Sequence, residues 1–125
     1  DNAPSAALLT VENERHTLGL TLAELVLAEA DWHSVWIGEG PPADELQPLV
    51  NKLKPDLLVV SASSVTPTKA VARYQAELSH IATAGNVEVI LAGSGAWAPT
   101  SNMQRLITFK DLRAFLGEKG QPTAS

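Results

Sequence analysis

Leu57-Leu58-Val59-Val60-Ser61-Ala62-Ser63-Ser64-Val65-Thr66-Pro67 is the stretch on which the reading of the fold turns. Four consecutive large apolar residues, two of them β-branched, form a run too short for a buried helix and suited to a strand covered on both faces. The run empties into a small, hydroxyl-rich loop that Pro67 closes. Strands buried on both faces belong to parallel sheets, and parallel neighbours need long crossovers, usually helices. The sequence on either side should therefore alternate helix and strand.

It does so in both directions. Upstream, Asp44 to Lys54 reads as a helix with Leu46, Leu49, Val50 and Leu53 toward the sheet. Lys52 and Lys54 suit its terminal dipole, and Pro55 stops it. His33 to Ile37 is a strand, preceded by the turn Asp31-Trp32 and followed by Gly38-Glu39-Gly40-Pro41-Pro42. Leu18 to Ala30 is strongly helical, with Leu18, Leu22, Leu25 and Val26 on a shared face. Ala6 to Val11 is the first strand. Downstream, a helix from about 69 to 84 carries Val71, Tyr74, Leu78 and Ile81 at helical spacing. Val87 to Leu91 is the fourth strand, Leu106-Ile107-Thr108-Phe109 the fifth, and Asp111 to Leu116 a last short helix. Residues 1–5 read as a flexible lead-in, 6–118 as one domain and 119–125 as a flexible tail. The expected fold class is α/β: a doubly wound five-stranded parallel sheet, flavodoxin-like or Rossmann-like, in the common order 2-1-3-4-5.

Composition bounds the function. A chain of 125 residues buries a core without disulfides or metals, and with no cysteine it has no thiolate ligand or thiol nucleophile. No apolar run approaches the roughly eighteen residues needed to span a membrane, and nothing at the start resembles a signal peptide. A cytoplasmic location without membrane contact is the expectation. The chain begins at Asp1, so it reads as a fragment or processed product of a longer protein. Nine Lys plus Arg against fourteen Asp plus Glu give a net charge of −5, with the basic residues scattered. That balance argues against direct nucleic-acid binding by this domain.

Under the expected topology three loops share the carboxyl edge of the sheet, where open α/β folds take their ligands. They run from Glu12 to Gly19, from Ser61 to Pro67 and from Ala92 to Trp97. The first offers an imidazole, the second hydroxyls, and the third glycines that admit close approach to the backbone. Glu14 and His16 lie two apart, near enough for the carboxylate to take one ring N–H. Such a partner fixes the tautomer of a metal-bound histidine and raises its basicity. A histidine that ligates must be deprotonated at the ligating nitrogen, so acid should release it. There is no dinucleotide fingerprint or phosphate-binding loop after the first strand. No nucleophile, carboxylate pair or oxyanion arrangement stands out, and the domain is read as not an enzyme. Trp32 and Trp36 read as packing residues, and His33 and His80 fit no constellation.

Glu14-Arg15-His16-Thr17-Leu18-Gly19 resembles the Asp/Glu-x-His-x-x-Gly signature of cobalamin-binding domains. Forty-five residues after His16, Ser61 matches the serine of that family's second motif; thirty-two further on, Gly93 matches the second glycine of its Gly-Gly motif. The three motifs, in order and spacing, cover nearly the whole chain. The resemblance implies cobalamin, adenosylcobalamin or another corrinoid, with His16 as the lower axial ligand in place of the cofactor's own base. It also implies that Glu14 holds His16, and that Ser61 and Gly93 receive the displaced nucleotide tail. Arg15, Thr17, Gly19, Ser63, Ser64, Gly95 and Trp97 complete the candidate site, with Thr66 a further hydroxyl in the second loop.

The glutamate variant and the stretches V-S-A-S-S-V-T-P and A-G-S-G-A are most similar to light-sensing, cobalamin-dependent transcription regulators of the CarH/LitR kind, which carry a MerR-type DNA-binding head. This resemblance implies partners absent from the chain, namely a helical bundle over the cofactor's upper face and the DNA-binding head, with homo-oligomers formed through those parts. Ala92 replaces the first glycine of the pair, and Ser63 stands where a leucine is common. These departures leave haem, or no cofactor, as alternatives. A corrinoid-carrying domain of a methyltransferase or mutase is the other alternative to a sensor module.

Overall fold

A computed structural model describes residues 3–120. Its elements are β1 (Ser5–Thr10), α1 (Leu18–Glu29), β2 (His33–Gly38), α2 (Leu46–Leu53, entered by a 3₁₀ turn, Ala43–Glu45), β3 (Leu57–Ser61), α3 (Thr68–Thr83), β4 (Glu88–Ala92), β5 (Gln104–Arg105) and α4 (Phe109–Gly120). The sheet order is β2-β1-β3-β4-β5 with every pair parallel, as the alternation predicts. β3 lies at the centre. Ala6 pairs with Leu57 and Thr10 with Ser61 on one side of it, and Ser61 pairs with Ala92 on the other.

Because successive strand residues point to opposite faces, the sheet divides two cores. Ala7, Leu9, Leu58, Val60, Val89 and Leu91 pack against α2 and α3 through Leu46, Val50, Val71, Tyr74, Leu78 and Ile81. Ala6, Leu8, Leu57, Val59 and Ile90 pack against α1 and α4 through Leu20, Ala23, Val26, Leu27, Leu112 and Leu116. The row Leu57, Val59 continues into Ser61 and the row Ile90 into Ala92, so both small residues end on the α1/α4 side.

Three expectations need correction. In α1 the buried residues are Leu20, Ala23, Val26 and Leu27, while Leu18 and Leu25 are 71% and 59% exposed and Leu22 is also exposed. Leucines occupy two opposite faces of this helix, Leu18, Leu22 and Leu25 on one and Leu20 and Leu27 on the other, so periodicity could not choose between them; the sheet took the face where Ala23 allows close approach.

The fifth strand is Gln104–Arg105 rather than 106–109. Thr108 instead caps α4: its hydroxyl accepts the Asp111 N–H at 3.1 Å, and its own N–H donates to the Asp111 carboxylate at 3.3 Å. This reciprocal cap starts the helix at Phe109, two residues earlier than expected.

The helix also runs on to Gly120, through residues read as the start of the tail, and Ser5 of the lead-in belongs to β1. Residues 1–2 and 121–125 lie outside the described residues.

Candidate functional site

The β1–α1 loop leaves the sheet at Thr10, whose Oγ1 lies 2.8 Å from the Glu14 carbonyl oxygen. Asn13 takes a left-handed turn (φ 66°), a conformation asparagine tolerates well. The turn sends Glu14 down into the protein, where it is only 3% exposed. A carboxylate so buried must be paired or fully hydrogen-bonded. Oε1 accepts the Ser63 hydroxyl at 2.5 Å, the Ser63 N–H at 3.1 Å and the Thr66 hydroxyl. Oε2 accepts the His16 N–H at 2.9 Å and lies 2.6 Å from His16 Nδ1. Burial acts to raise the Glu14 pKa. The bonds from Ser63, Thr66 and the backbone and ring of His16 outweigh it and bring the pKa down to about 2.

Glu14 is therefore ionised near neutrality and acts only as an acceptor, so His16 Nδ1 must carry the proton. The free lone pair of the neutral ring then sits on Nε2, on the far side of a side chain that is 73% exposed. A buried anion thus fixes the tautomer of an exposed imidazole and presents its basic nitrogen outward.

A cavity of about 110 Å³ opens on the α1/α4 side of the sheet. Gly19, Leu20 and Ala23 of α1, Val59 and Ser61 of β3, and Ile90, Ala92 and Gly93 at the end of β4 line it, closed by Leu106 to Phe109 and Leu112. Its walls are apolar apart from hydroxyls and backbone. Gly93 has φ +82°, and a Cβ there would meet the Ala62 carbonyl oxygen at 2.2 Å, so only glycine fits this turn. Gly19 differs: a Cβ there meets nothing within 4 Å, so it faces the cavity and does not serve close packing of α1 on the sheet. A wider hollow of about 450 Å³ lies at the opposite edge of the sheet, beside Lys54, Asp56 and Asn86, and contains none of the candidates.

Two groups thus form among the candidates. Glu14 and His16 make one with Ser63, and Gly19, Ser61 and Gly93 make the other. Ser63 holds the acid and does not line the cavity. Arg15 and Ser64 are exposed and join neither group. Thr17 occupies the cap position of α1, but its hydroxyl makes no cap bond. Gly95 is buried against Ala62, to whose carbonyl oxygen its N–H donates at 2.9 Å.

Trp97, expected to wall the pocket, packs instead against the α2/α3 core, its indole N–H donating to the Ala92 carbonyl oxygen at 2.9 Å. The tight Gly95 turn carries the chain to that face. Sequence reading undervalued Thr66 and missed Arg105, whose guanidinium bonds three backbone carbonyls beside the cavity. An arginine on a two-residue edge strand gives no motif by which to find it.

No family model matches the sequence, and a search of curated proteins finds no match. Solved structures do. A monomethylamine corrinoid protein from Methanosarcina barkeri superposes with a TM-score of 0.67 at 18% identity, over 94% of this chain and 58% of its own. A cobalamin-binding protein from Desulfitobacterium hafniense DCB-2 gives 0.61 at 16% identity, over 93% of this chain and 51% of its own. A chain of the methanol:cobalamin methyltransferase complex of Methanosarcina barkeri gives 0.60 at 16% identity, over 90% of this chain and 51% of its own. What they share is the fold. The chain spans between about half and three fifths of the length of these proteins.

Proposed function

We propose that this domain is a corrinoid-binding module in which His16 is the lower axial ligand of the cobalt. The observation that carries the reading is the Glu14–His16 pair, which fixes Nδ1 as the protonated nitrogen and turns Nε2 outward. Among the described residues no group of three or more His, Asp or Glu could hold a metal ion. A lone prepared imidazole suits a metal that brings its other ligands with it, as in a tetrapyrrole.

The remaining features fit the same group. Leu18, Val65 and Ile107 are 71%, 69% and 75% exposed on segments at the carboxyl edge of the sheet, and a flat macrocycle would cover them. Beside them, the apolar walls, the Ser61 hydroxyl and the bare Gly93 backbone match a nucleotide tail in chemistry, and the cavity of about 110 Å³ would have to widen toward its open side to take a whole one. Ala92 contributes a methyl to its wall. Names of the structural neighbours, which describe cobalamin or corrinoid proteins, support the corrinoid over haem.

When bound, the corrinoid would supply cobalt–carbon chemistry, and the chain would supply one ligand and a tail site. The resemblance of the three loop motifs to those of CarH/LitR-type regulators supports, as the first reading, a light-responsive sensor module within a transcription regulator. The names of two neighbours, a corrinoid protein and a methyltransferase complex, favour a carrier role in methyl transfer as the second reading.

Incubation with hydroxocobalamin, desalting and an absorbance spectrum test the module, with His16→Ala beside it. Co-eluting corrin whose bands differ between the two chains is expected; corrin that washes from both would overturn the reading. Size measurements of the full-length parent in dark and light then separate the roles. A sensor changes its oligomeric state on illumination, and a carrier does not.

A further inference from the structure

Arg105 stands where the outer wall of the cavity is tied together. Its Nη1 donates to the Leu91 carbonyl oxygen at 3.1 Å and to that of Leu106 at 3.2 Å, and its Nη2 donates to that of Gly93 at 2.6 Å. Gly93 and Leu106 both line the cavity, one from the end of β4 and the other from the segment leading to α4. Besides the short β4–β5 ladder, which pairs Ile90 with Gln104 and Leu91 with Arg105, a backbone bond from the Leu106 N–H to the Leu91 carbonyl at 3.1 Å joins these walls. β5 itself contributes two residues, too few to fix the edge alone. A planar guanidinium can serve three acceptors in one fixed fork, whereas an ammonium is a point donor on a flexible stem. The side chain is partly buried, which strengthens such bonds.

We propose that Arg105 is a positioning residue for the tail of the bound corrinoid: by gathering the Leu91, Gly93 and Leu106 carbonyls it sets the width of the slot and the direction of the Gly93 peptide. This rests on the corrinoid reading above. Arg105 has no part in the Glu14–His16 pair, so its effect falls on the tail and not on the metal. The relevant ligands are therefore cobalamin, which carries a nucleotide tail, and cobinamide, which has the same corrin without it.

The test compares Arg105→Met and Arg105→Lys with the unaltered chain by titration with both corrinoids and by amide hydrogen exchange without any. For both variants, a tenfold or greater loss of cobalamin affinity is expected, with cobinamide affinity kept within about twofold and the bands that depend on His16 retained. Without corrinoid, exchange at the Leu106 amide should quicken at least tenfold, while the Val59 and Val60 amides stay as protected as before. Equal losses for the two corrinoids, no loss for either, or an unchanged Leu106 amide would each overturn the proposal. Rescue by lysine would do so as well, since it would show that charge suffices. If the unaltered chain binds neither corrinoid, the corrinoid reading fails, and the proposal about the tail fails with it. In that case the Leu106 exchange rate reports only whether Arg105 shapes the wall.

Discussion

At the scale of single residues the site rests on one carboxylate. With the folded Glu14 pKa near 2 and an ordinary value of 4.5, its ionised form is favoured by folding. The stability it contributes is fully present above about pH 4.5 and is lost as pH falls through about 2. Glu14→Gln should cost on the order of 2–3 kcal/mol near neutrality, because two hydroxyls, two backbone N–H groups and the imidazole Nδ1–H lose an anionic acceptor. The gap between the two chains in denaturant titrations should narrow across that acid window. A gap that stays constant down to pH 2 would mean that Glu14 is not held ionised. The pairing of Glu14 with His16 was legible because two neighbours on an extended segment can meet without knowledge of the fold. Its second half was not: Ser63 lies 49 positions away and Thr66 lies 52 away. Ser63, read in sequence as a candidate cofactor contact standing where a leucine is common, is one of the groups that hold the acid.

At the scale of elements, β1, β3 and β4 were legible because each is a near-continuous apolar run, and the parallel order followed from the alternation of strands with helices. Two of the corrections, the face of α1 and the place of β5, share a cause, since both arise where apolar content exceeds what the core uses. α1 offers leucines on two opposite faces, and only contact with the sheet decides between them. The run from Leu106 to Phe109 is apolar enough for a strand, yet the Thr108 cap commits its end to α4. The face of α1 is testable by paired truncations. Leu20→Ala should destabilise by about 2–4 kcal/mol, since Leu20 is buried, while Leu25→Ala should fall within about 0.5 kcal/mol. Comparable costs in thermal or denaturant unfolding would overturn the assignment of the buried face.

For the whole molecule, the doubly wound sheet carries the candidate residues to one edge and keeps its two cores separate. The acid–imidazole pair stands in the β1–α1 loop on that edge, and the cavity lined by Gly19, Ser61 and Gly93 opens on the α1/α4 side. Position on that edge was legible in sequence; the side of the sheet was not, because it depends on the register that places Ser61 and Ala92 together. The net charge of −5 applies at this scale too. The isolated domain should not retard duplex DNA at low salt, where backbone attraction is strongest, and salt-dependent retention would contradict this.

The bonds from Glu14 to Ser63 and Thr66 bear on time as well as on strength. They join loops that meet only once β1 has paired with β3, a contact between distant parts of the chain. Contacts that form after the rate-limiting crossing leave the folding rate almost unchanged and act on the unfolding rate. Glu14 is expected to act as a kinetic latch on the assembled edge: Glu14→Gln should quicken unfolding and leave refolding almost unchanged in stopped-flow traces, and a matching slowing of refolding would overturn this.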